Sequence, residues 1–159
     1  MTGSLTLEMV AGKMKDFGMA EQVRRNRIRI TTTPDKVYDA IRTVQVMFGF
    51  DHLISISAVD NGKTLELVYH LTGLHRMIVS IVIELPRDVP AITTVSDILP
   101  PAAIYERQIH DLFGIMFNGH PGLARIVLNE DWPADEYPLR KDWKPDPDTF
   151  YGGIRKELT

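Results

Sequence analysis

The chain is 159 residues long, 44% hydrophobic and 25% charged, with 18 basic and 21 acidic side chains and a formal charge of −3. That is the size and make-up of one globular domain, and its mild acidity argues against a nucleic-acid binder working through overall positive charge. Cysteine is absent, which excludes disulfides, thiolate-held iron–sulfur clusters, Cys-type zinc sites and a cysteine nucleophile.

The stretch Met1 to Val10 carries Glu8 and no basic residue, so it reads as neither a signal nor a transit peptide. The longest strongly apolar run, Met77 to Ile83, falls far short of the roughly 20 residues that cross a bilayer. Membrane association is therefore expected only through a partner.

Leu7, Val10, Met14 and Phe17 recur at helical spacing, with Gly18 placed as a stop. Arg27 to Thr31 alternates like a half-buried strand. Thr33-Pro34 reads as a helix start, with Thr as cap and Pro in the first turn. Val37, Ile41, Val44 and Phe48 then form one apolar stripe that Gly49 can end. Leu53 to Val59 and Thr64 to Leu71 flank Asn61-Gly62, a strong hairpin signal. Met77 to Leu85 is nearly all apolar, as in a strand covered on both faces. Pro100-Pro101 opens another helix, with Ala102, Tyr105, Ile109, Leu112 and Phe113 inward. Glu106, Arg107, His110 and Asp111 then lie on its outer face, where Glu106–His110 and Arg107–Asp111 can pair four residues apart. Gly114 is the natural stop. The expected fold is α+β: one mixed sheet covered by helices, in the order helix, strand or strands, helix, three-strand meander, helix.

Residues 1–114 thus read as an α/β domain and 115–159 as an extended, irregular tail. Five of the ten prolines fall in the tail, at 121, 133, 138, 145 and 147, along with Phe117, Trp132, Tyr137, Trp143, Phe150 and Tyr151. Disordered linkers are poor in aromatics. A proline-stiffened segment with spaced aromatics suits a groove on another protein, or packing back on its own domain.

Among the five histidines, only His110, Asp111 and His120, with Glu106 one turn earlier, form a conceivable metal cluster, and their spacing matches no standard metal motif. Neither G-x-G-x-x-G, nor a Walker loop, nor G-x-S-x-G occurs. Glu130-Asp131 and Asp135-Glu136 read as solvated carboxylates. Arg24, Arg25, Arg27 and Arg29 either bind phosphate or line a solvent-facing strand edge. No convincing active site emerges.

The string Glu106-Arg107-Gln108-Ile109-His110-Asp111-Leu112-Phe113-Gly114-Ile115 resembles the signature of the C subunit of respiratory complex I. The likeness continues through Phe117, Gly119-His120-Pro121, Leu123 and Arg125-Ile126, and closes on Pro138-Leu139-Arg140-Lys141-Asp142. Gln108, Gly122 and Ala124 depart from the usual pattern. Asp131-Trp132-Pro133 followed by Tyr137-Pro138-Leu139-Arg140-Lys141-Asp142 is more similar to relatives in membrane-bound, energy-converting nickel–iron hydrogenases and related complexes. Complex I proper and deazaflavin-dependent dehydrogenases are the alternatives.

The resemblance implies a non-catalytic assembly subunit in the peripheral arm, on the cytoplasmic face of the membrane. It would dock on the large, hydrogenase-like (D-type) subunit and on the small (B-type) subunit that carries an iron–sulfur cluster, and would touch the membrane arm only indirectly. No cofactor is expected in this chain; iron–sulfur clusters, and in the hydrogenase branch a nickel–iron site, belong to its partners. Arg107, Arg140 and Lys141 are candidates for ion pairs across the interface, and Trp132, Tyr137 and Trp143 for anchors in partner pockets. Glu106 and Asp111 would hold the loop carrying His120. Phe113, Gly114, Gly119, Pro121, Arg125, Pro138, Leu139 and Asp142 complete the signature and expected interface. A small metal-dependent enzyme using His110, Asp111 and His120, and a nucleic-acid binder using Arg24 to Arg29, remain as competing readings.

Overall fold

The computed structural model describes residues 5–149. Phe150, Tyr151 and the rest of the expected tail to residue 159 lie outside the described residues, as do residues 1–4.

Helix α1 (Leu7–Met14) is capped by Thr6, whose Oγ1 accepts the Met9 N–H, and buries Val10 and Met14. It ends before Phe17. Gly18 does not stop this helix but opens strand β1 (Gly18–Arg24), which the residue pattern alone does not separate from β2. A glycine is needed there because a Cβ would overlap the Thr31 carbonyl of the neighbouring strand. The hairpin partner is β2 (Arg27–Thr32).

Helix α2 (Val37–Phe48) presents the expected stripe, burying Val37, Ala40, Ile41, Val44 and Phe48, and closes on Gly49. Its start is a correction. Thr33 is not the cap; it and Lys36 close a turn through Lys36 N–H to Thr33 O at 3.0 Å, with Pro34 at the second position, where its fixed φ is favourable. Strands β3 (His52–Asp60), β4 (Thr64–Thr72) and β5 (Ile78–Pro86) form the meander. The Asn61 side-chain oxygen accepts the N–H groups of Lys63 and Thr64, at 2.9 and 2.7 Å, and so builds the β3–β4 turn.

The five strands form a mixed sheet in the order β1-β2-β5-β4-β3; β2 and β5 are parallel, and the other neighbours antiparallel. Ile28, Ile30, Leu65, Leu67, Tyr69, Ile81 and Ile83 line one face and join the apolar sides of the helices in a single core. The opposite face carries Ser80 and Val82, together with the Arg29–Glu66 ion pair. Two short strands, β6 (Ala91–Thr93) and β7 (Met116–Asn118), form a separate parallel pair around helix α3 (Ala102–Phe113). Ile115 and Phe117, just past α3, belong to the core. Among the described residues, no helix is long and apolar enough to cross a membrane.

Candidate functional site

The signature residues gather around α3 and the chain that follows it. The burial of α3 corrects one expectation: Glu106 and Asp111 are not on a water-facing side but are 0% and 4% exposed, while Tyr105 and Leu112 are only partly buried. The expected pairs along the helix do not form.

Glu106 accepts the Thr94 hydroxyl at 2.5 Å and the Val95 N–H at 2.9 Å, tying α3 to the chain just after β6. Burial pushes its carboxyl above the usual range, opposed by those two hydrogen bonds. Nε2 of His120 lies 3.9 Å from Glu106 but donates to Ala103 O at 2.9 Å, while Nδ1 accepts the Gly122 N–H at 3.0 Å. These partners select the tautomer protonated on Nε2. The fully buried Tyr69 hydroxyl has no hydrogen-bond partner among the described residues; burial, and then the nearby Glu106 charge, push it well above its ordinary range.

One turn along α3, Asp111 accepts three successive backbone N–H groups: Ile126 and Val127 at 2.8 Å, and Leu128 at 3.2 Å. Arg107 grips the same segment from the other side, donating to Ala124 O at 2.9 Å and Arg125 O at 2.8 Å. His110 Nδ1–H donates to Ile115 O at 2.9 Å. Arg125 donates to Asn129 O at 3.0 Å. The 122–129 segment is therefore fixed by charge-assisted bonds to backbone groups.

The closing run is bound equally tightly. Gly114 sits at φ +73° as the α3 cap, and the Tyr137 ring occupies the space a Cβ would fill. Arg140 donates to Phe113 O at 2.8 Å and Arg87 O at 3.2 Å, with its guanidinium 4.8 Å from the centre of the Tyr137 ring. Leu139 N–H donates to Leu112 O at 3.1 Å. Lys141 N–H donates to buried Asp60, which also takes Arg87 at 2.6 Å; Arg87 in turn bonds Asp142 at 2.7 Å. Burial alone would raise the Asp60 carboxyl, but Arg87 and the N–H groups of Lys141 and Gly62 outweigh it and hold it at about 2. Trp132 and Trp143 stack on each other with centroids 5.7 Å apart, and both indole N–H groups bond Glu136. Gly119 and Pro121 flank His120 at the surface, and Lys141 and Leu139 are exposed.

Among the described residues, no three His, Asp or Glu side chains converge as a metal-binding group; His110, Asp111 and His120 each face different partners. The basic residues of the sequence cluster stay together on the β1–β2 hairpin. Arg24 pairs with Arg27 across the end of the β1–β2 hairpin, whereas Arg29 faces Glu66 at 3.2 Å and Glu21 at 3.8 Å.

The profile of the respiratory-chain NADH dehydrogenase 30 kDa subunit matches residues 30–149. The chain belongs to this family. It is 38% identical over 151 residues to the C subunit of F(420)H(2) dehydrogenase from Methanosarcina mazei, an alignment covering 91% of this chain and 93% of that one. It is 40% identical over 93 residues to the C subunit of NADH-quinone oxidoreductase from Herpetosiphon aurantiacus, covering 58% of this chain and about half, 53%, of that protein. It also superposes with a TM-score of 0.69 and 29% identity on a chain of the membrane-bound sulfane sulfur reductase, an archaeal respiratory membrane complex, covering 86% of this chain and 84% of that one.

Asp60, Tyr69, Arg87 and Thr94 belong to this site of the 30 kDa family chain yet lie outside the signature string. Nothing in the spacing links them to it: Asp60 and Lys141 are 81 residues apart. The available signal was only a polar residue within an apolar strand, as at Asp60 and Tyr69.

Proposed function

We propose that this chain is the C-type component of a membrane-bound, complex I-like oxidoreductase, acting as a non-catalytic assembly subunit. It docks on the large, hydrogenase-like (D-type) subunit and on the small, iron–sulfur (B-type) subunit, on the cytoplasmic face of the membrane, and meets the membrane arm only through them. It holds no cofactor of its own; the iron–sulfur clusters, and a nickel–iron site where one exists, sit in the partners. The observation that carries this reading is family membership over residues 30–149, joined to what the signature residues do. Glu106, Arg107, Asp111 and Arg140 direct their hydrogen bonds to this chain's own backbone and to Thr94, which is the work of a part that holds a shape. Within this chain, Arg107 and Arg140 act as clamps, and the interface falls on the surface they fix.

Similarity along nearly the full length of the F(420)H(2) dehydrogenase relative supports, within this class, a complex of the deazaflavin-dependent type. An energy-converting hydrogenase is the second reading, and the Asp131-Trp132-Pro133 run favours either of these over complex I proper. Co-expression of the tagged chain with its large and small subunits tests the role: both are expected to co-purify with it, and failure of both to do so would overturn the reading. Nickel in the purified assembly would select the hydrogenase branch.

A further inference from the structure

A cavity of about 440 Å³ opens between the C-terminal end of α3 and the 123–137 segment, lined among others by His110, Leu123, Leu128, Trp132, Ala134 and Tyr137. Its walls combine apolar and aromatic side chains with His110, Asp111, Arg125, Asp135 and Glu136. Beside it, Met116, Ile126 and Val127 are 47%, 42% and 51% exposed, so the apolar surface continues beyond the cavity. Patches of this kind mark protein contacts.

The polar groups around the groove are unequal in sign. The donors of Arg107 and Arg125 are engaged by backbone carbonyls of this chain. His110 donates through Nδ1 to Ile115 O, which leaves its Nε2 as an acceptor on a residue that lines the groove. Asp135 and Glu136 line the groove, Glu130 and Asp131 are exposed carboxylates just before them in the chain, and the whole run from Glu130 to Glu136 contains no basic residue. The groove therefore offers apolar contact and acceptors, and its three lining carboxylates, Asp111, Asp135 and Glu136, outnumber its one lining cation, Arg125.

We propose that this groove receives an extended segment of a partner subunit that carries a Lys or Arg next to large apolar side chains. The apolar side chains fill the space between Leu123, Leu128 and Trp132, and the cation meets Asp135 and the acidic run that leads to it. Charge complementarity of this kind sets register and on-rate, and aromatic-lined pockets hold the anchors. This inference rests on the subunit role proposed above and adds where the partner sits and what chemistry it brings.

The test uses the full chain in its co-expressed assembly, with benzoylphenylalanine in place of Ala134, an exposed residue lining the groove. Light-induced cross-linking followed by mass spectrometry should identify a partner peptide with a Lys or Arg within two or three residues of Leu, Ile, Val, Met or Phe. A parallel Asp131→Lys/Asp135→Lys variant, with unchanged circular dichroism and melting temperature, should weaken capture of the partner about tenfold or more. A cross-link to residues 150–159 of this same chain, to an acidic peptide, or to nothing while the assembly still co-purifies would overturn the groove proposal and leave the subunit role standing. Loss of co-purification by the unmodified chain would instead overturn the subunit role.

Discussion

The backbone N–H of Lys141 donates to the carboxylate of Asp60 at 2.8 Å, across 81 residues of sequence. Through this bond and Arg87, the end of the signature string is fastened to the end of strand β3. The neighbouring Arg140, with its grip on Phe113 O, fastens the same run to the end of α3. A segment rich in prolines is thereby given one shape.

Removing the Asp60 carboxylate, as in Asp60→Ala, leaves the Lys141 and Gly62 N–H groups without their acceptor and Arg87 with only the exposed Asp142. A loss of about 2–3 kcal/mol is expected in denaturant unfolding. Asp60 also sets an acid limit. Its folded value of about 2 lies below the ordinary 3.8, so its contribution is present above pH 4 and is lost as the pH falls from there through 2. The amount at stake is about 2 kcal/mol. Unfolding midpoints measured from pH 5 to pH 2 should fall less steeply in Asp60→Asn than in the parent chain.

Glu106 has the opposite sign. Its carboxyl is raised by burial, so the stability it contributes is fully present below the ordinary value and is lost as the pH rises through the folded one. Glu106→Gln keeps the shape and removes the charge; it should flatten the pH dependence of the melting temperature on the alkaline side of pH 4.5. Glu106→Ala leaves the Val95 N–H and the Thr94 hydroxyl without an acceptor and should cost about 2–3 kcal/mol.

The contrast between those carboxylates and their expected positions shows what the sequence carries. Val37, Ile41, Val44 and Phe48, the meander strands and the Gly114 stop were legible, because period and punctuation are local. Strand β1 was hidden: apart from half-buried Gly18 and Ala20 it is an exposed edge, so it has no strong alternation to read. Glu106 and Asp111 looked like a wet helix face because the N–H groups that solvate them come from the chain after β6 and from 126–128. Burial of a charge depends on partners that only the tertiary fold supplies. The signature string does not reveal that Asp60, Arg87 and Thr94 bond to its residues.

Asp111 holds three amides of a surface loop, so its loss should be felt locally. In Asp111→Ala, hydrogen exchange of the 126–128 amides should quicken by about tenfold or more, with little change at β4 and β5 amides in the sheet centre. Equal acceleration throughout would show that the contact is global.

Gly114 meets two demands, a positive φ and space for Tyr137. Gly114→Ala is expected to cost about 1 kcal/mol for the backbone alone, and more while the ring is present. Combining it with Tyr137→Ala should recover only the steric part, giving a non-additive double-mutant cycle in thermal melts.

The central claim is that this chain assembles an electron-transfer complex without holding its cofactors. The most direct measurement isolates the native complex from solubilised membranes through a tag on this chain, then releases the chain and measures iron and nickel in both fractions. The account predicts large and small subunits in equal amounts with the chain, and all of the metal in the remainder. A chain that elutes alone, or one released with stoichiometric metal, would contradict it.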